Sequence, residues 1–283
     1  MSKFNFQNQR IFLVGVCRNV ESTIIQELEK LLLGIGQSVY KCLIIESDSD
    51  DQTVNQLKKF SLSKQNFCFE NLGNLKDTIP SRTARIAYCR NFYMKFLDKE
   101  AKDDDIVVIA DLDGANLDLT RSRFDTIWDR ADWEVCTANQ RFAYFDIWAL
   151  RAKDWSEIDW MQEYNQLVEK GIHSRKALNI ALYEKMKRID EKSDWIPVES
   201  AFGGLGVYRF RAIRGLRYSG ELNGHEICEH VPFHLSVRER GGRIFIVPSL
   251  INCDYSSHTE ILKYSVRFKT LIIRILKSLS SRT

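Results

Sequence analysis

Between Ile11 and Asp113 the hydrophobic pattern switches repeatedly between the period of a buried strand and that of a helix. No other feature of the sequence constrains the fold as much. Ile11–Cys17 is a short apolar run. Glu21–Leu33 follows, with Ile24, Ile25, Leu28, Leu31 and Leu32 at helical spacing and Gly34 as a stop. Tyr40–Ile45 is a second strand, and an acidic turn from Glu46 to Thr53 leads into a helix carrying Val54, Leu57 and Phe60. Asn66–Glu70 is strand-like, Ser81–Leu97 is a long helix, and the apolar strand Ile106–Ala110 runs into Asp111-Leu112-Asp113-Gly114. Strands and helices in this order build βαβ units, which predicts an α/β fold with a mainly parallel central sheet and flanking helices. Ligands of such sheets bind beyond the carboxyl ends of the strands. Arg18, the Glu46–Asp51 turn and Asp111–Asp113 all fall there.

The second half is less regular. Trp133–Arg151 reads as strand-rich and aromatic, Leu167–Arg188 as helical, and Arg243–Ile251 as another apolar strand; Glu199–Arg211 contains Phe202-Gly203-Gly204-Leu205-Gly206. No Gly/Ser-rich linker or repeat divides the chain, so residues 1–258 are expected to form one domain. Its halves are 1–115 and 116–258, with a separate tail at 259–283.

A length of 283 residues allows one large core, and a net charge of +3 is too small to imply nucleic acid as a partner. The seven cysteines are odd in number and none falls in a CxxC or other zinc spacing, which favours a reducing compartment. The polar start of the chain lacks the apolar stretch of a signal peptide, and no apolar run reaches the ~18 residues of a membrane span. A cytoplasmic protein is expected. In the tail, Ile261, Leu262, Phe268, Leu271 and Ile272 alternate with Lys263, Arg267, Lys269 and Arg274. A basic amphipathic helix of this kind suits an anionic membrane surface, as it also suits packing on the domain.

Asp111-x-Asp113 carries the most specific chemistry. Two carboxylates after a buried strand suit a hard cation such as Mn²⁺ or Mg²⁺, which takes oxygen ligands and neutralises a departing diphosphate. Glu46 and Asp48 are candidates for a ribose or base, although the same turn also suits a solvated helix start. Arg82 and Arg85 share a face of the long helix and Arg90 lies elsewhere on it; arginine clamps diphosphates through its planar fork of donors.

Taken together, ESDSDDQT after the second strand, Arg90-Asn91 and IVVIADLDG resemble the acidic turn, the Ala-Arg-Asn helix and the strand-plus-DxD of glycosyltransferase family 2. The resemblance implies a GT-A fold: a Rossmann-like nucleotide-sugar-binding half and a smaller acceptor-side subdomain. In the C-terminal half, Ser200–Gly206 resembles the glycine loop of GT-A enzymes, which implies acceptor binding at Gly203 and Gly204. Cys228-Glu229-His230 stands at their xED motif, and His258 where a metal-binding histidine would be. Asp146-Ile147-Trp148, SAFGG and CEHVPFH are similar to fungal capsule-associated mannosyltransferases, which implies Trp148 at the acceptor and tilts the stereochemical outcome towards retention. Where inverting GT-A enzymes have the xED aspartate as base, this chain has His230. Three readings stay open: His230 as the base, Glu229 in that role, or retention with no base. The function implied is transfer of a sugar from a nucleoside diphosphate sugar (GDP-mannose or a UDP-sugar) to a glycan or lipid-linked acceptor. A sugar nucleotidyltransferase and a non-catalytic carbohydrate- or membrane-binding module that keeps the fold are the rivals.

Overall fold

The computed structural model describes residues 9–36 and 39–255; His258 and the tail at 259–283 lie outside them. Its strands, numbered along the chain, are β1 (Ile11–Cys17), β2 (Val39–Glu46), β3 (Phe67–Asn71), β4 (Ile106–Asp111) and β5 (Val135–Gln140), then β6 (Ile196–Val198), β7 (Leu205–Arg209), β8 (Glu221–Leu222), β9 (His225–Glu226) and β10 (Ile244–Cys253). Its α-helices are α1 (Ile24–Ile35), α2 (Thr53–Ser63), α3 (Arg82–Glu100) and α4 (Arg121–Phe124), then α5 (Trp160–Glu169), α6 (Ser174–Ala181), α7 (Phe210–Ile213) and α8 (His230–Glu239).

One sheet in the order β3-β2-β1-β4-β7-β5-β10-β6 spans both halves of the chain, and β8–β9 form a separate ribbon. β1–β4 pair in parallel, as do β5 and β10, while β7 runs antiparallel to both β4 and β5 and β6 antiparallel to β10. The carboxyl ends of β1, β2, β4 and β5 therefore share one edge of the sheet, with the start of β7 among them.

Burial on both faces explains why these strands read as continuous apolar runs. Successive side chains of a strand point to opposite faces. Ile11 and Leu13 of β1 join a core with Ile24, Leu28 and Leu31 of α1, whereas Phe12 and Val14 join one with Tyr93, Met94 and Leu97 of α3.

Three sequence expectations shift. Gly34 is not the stop of α1: the helix runs to Ile35 and ends at Gly36 (φ 86°), while Gly34 lies against Leu119. Trp133–Arg151 is not strand-rich, because β5 ends at Gln140 and residues 141–150 form an irregular loop at the sheet's edge. The predicted helix Leu167–Arg188 is broken: α5 stops before Gly171 (φ 83°), and α6 starts afresh behind an N-cap in which Arg175 N–H donates to His173 Nδ1.

Candidate active site

A cleft of about 570 Å³ opens over this edge, lined by the ends of β1 and β2, by α3, by the Asp111–Ala115 turn, by the 145–148 loop, and by Phe202, Gly204 and Cys228–His230. Asp111, Asp113, Asp48, Arg82, Arg90, Trp148, Gly204, Glu229 and His230 all line it.

The aspartate turn is built from three directions. Asp111 N–H donates to Gly204 O at 3.0 Å, continuing the β4–β7 pairing past Ala110↔Leu205. Asn116 donates its amide to Asp111 O (2.6 Å) and to Gly204 O (3.3 Å), and it accepts from Asn252, which also donates to Gly203 O. Glu27, on the buried face of α1, accepts from Gly114 N–H at 2.8 Å and from Asn116 N–H at 2.9 Å. Burial pushes the Glu27 carboxyl up to about 7 against these hydrogen bonds, and neighbouring Asp113 adds to the rise. Glu27 escaped the sequence reading. Its signal was an acidic residue inside the apolar stripe of Ile24, Leu28 and Leu31.

Gly203 and Gly204 have φ of 68° and 81°, the left-handed region that glycine tolerates. A Cβ on Gly204 would stand 2.8 Å from Ala115 Cβ, and one on Gly203 2.8 Å from Ala138 O. Only Gly204 lines the cleft. Gly203 is not among the residues that line it; its N–H donates to Asp146 Oδ2, and Asp146 is.

Arg90 departs most from expectation. It is 2% exposed, and each of its three nitrogens donates inside the protein: Nε to Glu229 Oε1 (2.8 Å), Nη2 to Asp111 Oδ1 (2.7 Å) and Nη1 to Tyr93 OH (3.2 Å). Its guanidinium also lies over the rings of Phe202 and Tyr218, at 5.3 and 5.5 Å. Expected on the diphosphate, it instead ties the DxD aspartate to the glutamate of the xED-like motif. Arg82, Arg85, Ile86, Cys89 and Arg90 form one broad arc of α3 on the cleft, so Arg90 does not point elsewhere.

The acidic turn is corrected as well. Glu46 is buried, accepts from Ser49 N–H and does not line the cleft, so it holds its own turn and not a ribose. Asp48 (φ 61°) does line the cleft; its Oδ1 accepts from Lys76 N–H at 2.8 Å and its Oδ2 lies 3.5 Å from Arg85 Nε.

His230 caps the correction of the base. It is 2% exposed and stacked on Phe202 with ring centroids 3.7 Å apart. Desolvation and then the charge of Arg90 hold it well below the usual histidine range, so it is a neutral hydrogen-bonding group and a poor proton acceptor. His234, one turn on, is buried between Ser200 Oγ and Tyr208 OH, both at 3.0 Å, a packing partner as its spacing suggested.

Asp111 keeps 34% of its side chain open to the cleft, yet the surrounding walls strip it of bulk water and push its carboxyl up to about 7; Arg90 opposes the rise and Asp113 and Glu229 add to it. Like charges gathered in a desolvated corner are the electrostatic setting that a divalent cation relieves. The residues fit such an ion: oxygen donors two positions apart at a cleft wall. Among the described residues no group of three or more His, Cys, Asp or Glu side chains gathers as a metal cage. An ion on Asp111 and Asp113 would therefore complete its shell with phosphate oxygens and water, as Mg²⁺ commonly does.

No protein-family model matches the chain, and no curated protein matches it in sequence. Solved structures do. A mannosyltransferase, PcManGT from Pyrobaculum calidifontis, in complex with GDP-Man and Mn²⁺, is 13% identical over 87% of this chain and 56% of its own, with a TM-score of 0.51. S. aureus TarS is 12% identical over 88% of this chain and 37% of its own, at 0.50. TarS 1-349 in complex with UDP-GlcNAc is 11% identical over 88% and 60%, also at 0.50. The chain thus spans less than two thirds of each of these proteins. They are GT-A glycosyltransferases, and the chain has the GT-A fold. Among the described residues no helix is long and apolar enough to cross a membrane.

Proposed function

We propose that this protein is a metal-dependent glycosyltransferase that moves a sugar from a nucleoside diphosphate sugar to a hydroxyl of a glycan or lipid-linked acceptor. One observation carries the reading: Asp111 and Asp113 line the cleft at the carboxyl edge of a GT-A sheet, with Glu229 joined to the same aspartate through Arg90. Asp111 and Asp113 would hold a divalent cation, Mn²⁺ or Mg²⁺, which would supply charge neutralisation for the diphosphate. Arg18, Arg82 and Arg85 line the same end and orient phosphate and nucleoside. In the transfer, the acceptor oxygen bonds to the anomeric carbon, the bond from that carbon to the diphosphate breaks, and the nucleoside diphosphate leaves. If the transfer inverts, the hydroxyl proton passes to the Glu229 carboxylate, with His230 as a neutral neighbour; the retention implied by the mannosyltransferase-like strings would need no such base.

The mannosyl and GDP-linked form of this reading is supported by the Asp146-Ile147-Trp148, SAFGG and CEHVPFH strings and by the GDP-Man-bound Pyrobaculum enzyme. The basic amphipathic pattern of residues 259–283 would hold the enzyme at an anionic membrane face near a lipid-linked acceptor.

The test is nucleoside diphosphate release from a panel of GDP- and UDP-sugars with Mn²⁺. Wild type should release it, and Asp113→Ala should lose at least 100-fold, on the scale of removing a principal electrostatic group. Undiminished turnover in Asp113→Ala would sink the site assignment. Pyrophosphate made from a nucleoside triphosphate and a sugar phosphate would identify a nucleotidyltransferase instead, and no turnover of either kind a binding module. The anomeric configuration of the product checks Glu229: a base there requires inversion, and retention would remove it from that role.

A further inference from the structure

One buried side chain of α1 breaks the pattern of its neighbours. Ile24, Leu28, Leu31 and Ile35 form an apolar stripe in the core, and Glu27, 0% exposed, sits inside it. A buried carboxylate is costly unless hydrogen bonds replace its water, and an apolar side chain would fill such a stripe without that cost. The bonds that replace it here come from the turn that carries the two aspartates. Gly114 N–H donates to Oε2 at 2.8 Å, and the N–H and side-chain amide of Asn116 donate to Oε1 at 2.9 and 3.1 Å.

These contacts reach both aspartates. Gly114 N–H belongs to the peptide that leaves Asp113, and Asn116, fixed by Oε1, donates to Asp111 O at 2.6 Å. Glu27 is also near enough to Asp113 for the two charges to repel, which places a third negative charge behind the pair. It does not line the cleft, so what it does for the site it does through the turn. A glutamine could not serve in the same way: its one oxygen would meet one side of the turn, and its NH₂ would confront an N–H on the other.

On the glycosyltransferase reading above, we propose that Glu27 is a positioning residue for the cation: it holds Asp111 and Asp113 in place for a divalent ion, and through the turn it sets the affinity for that ion. Groups that hydrogen-bond behind metal-binding carboxylates orient them, and losing one typically costs ~10–100-fold in metal affinity or activity. Arg18, Arg82 and Arg85 enter the cleft from the end of β1 and from α3, so nucleotide contacts survive a change at Glu27. The effect belongs to the ion.

The test uses the full chain at pH 8. Manganese EPR, which reads free Mn²⁺ directly, gives the affinity for the ion in the presence of GDP and of UDP without any turnover. Glu27→Gln should weaken Mn²⁺ binding about tenfold or more, while nucleotide affinity in EDTA stays at the wild-type value. In donor hydrolysis the Mn²⁺ concentration for half-maximal rate should rise in parallel, and saturating Mn²⁺ should restore most of kcat. Leu28→Ala removes apolar packing from the same helix and should bind Mn²⁺ as wild type does. Should Glu27→Gln fail to fold, Glu27→Asp, which keeps the charge a methylene short, decides: weaker Mn²⁺ binding supports the role and wild-type binding overturns it. Unchanged affinity in Glu27→Gln, or an equal loss in Leu28→Ala, would overturn the positioning role and leave the glycosyltransferase reading standing. A wild type that takes up no Mn²⁺ with either nucleotide would instead remove the cation from that reading, and this role with it.

Discussion

Replacing Arg90 by methionine keeps most of the side-chain volume and removes a cation that two carboxylates share. Arg90 is 2% exposed and its bonds to Glu229 and Asp111 measure 2.8 and 2.7 Å. Breaking a buried pair by deleting one partner costs ~3–5 kcal/mol. At ~2–4 °C per kcal/mol for a chain of this size, the melting temperature should fall by about 6–20 °C. The deficit should grow with pH. The folded Asp111 carboxyl, at about 7, lies above its ordinary 3.8, so its contribution to stability is present in acid and lost as pH rises through 7. Arg90 opposes that rise, and without it Asp111 holds its proton to still higher pH. Calorimetry in EDTA at pH 5 and pH 8 reads this directly, and the Mn²⁺ dependence of donor hydrolysis should move to higher pH as well, because a ligand carboxyl must be deprotonated. Arg90→Lys keeps the charge without the fork and should recover only part of the loss. If instead Arg90→Met melts within 2 °C of wild type at both pH values and only binds nucleotide diphosphate more weakly, the internal-tie account is wrong and Arg90 is a phosphate ligand.

Two further predictions follow from buried titratable groups. Glu27 has its carboxyl raised from 4.5 to about 7, so in EDTA its share of stability, ~3 kcal/mol, should be present below pH 4.5 and gone above about pH 7. Glu27→Gln should be less stable than wild type at pH 5, with the gap closing by pH 8; a gap independent of pH would contradict this. His234 has the opposite sign: burial lowers it from 6.5 to about 3, so its contribution is present above pH 6.5 and lost as pH falls towards 3. Unfolding free energy should drop ~1.4 kcal/mol per pH unit for this residue below pH 6, with His230 adding in the same direction. Because Glu27 and Asp111 act in the opposite direction over the same range, the measurement is the difference between wild type and His234→Gln in urea titrations from pH 6 to 4.5; a difference that does not change with pH would show that the ring is protonated in the folded state.

Much of the first half was legible because its strands are buried on both faces and its helices on one, so period alone separates them. The place of Asp111 and Asp113 at the carboxyl edge of the sheet was legible because an apolar strand leads into them. Long-range partners were not. Arg90 meets Glu229 across 139 residues, and nothing at either position in the sequence announces the other. Reading Arg90 as a phosphate ligand followed from its residue type, but burial among Tyr93, Phe202 and Tyr218 reassigns it. His230 was read from its place in a motif, and stacking on Phe202 changes its chemistry without changing its position. The 141–150 loop was misread because tyrosine, phenylalanine and tryptophan favour strands; here they turn back at the sheet edge, where Tyr144 N–H bonds to Lys187 O and not to a neighbouring strand.

Asn116 and Asn252 join the aspartate turn to the glycine loop through backbone carbonyls on both sides. These contacts join the floor of the cleft into one hydrogen-bonded plate, so exchanging loops across it would disturb Asp111 as well. Asp146 of the 145–148 loop is itself bonded to Gly203 N–H, so changes meant to spare the aspartates would do better to begin at Trp160 and at Leu182, Tyr183 and Met186, which also line the cleft.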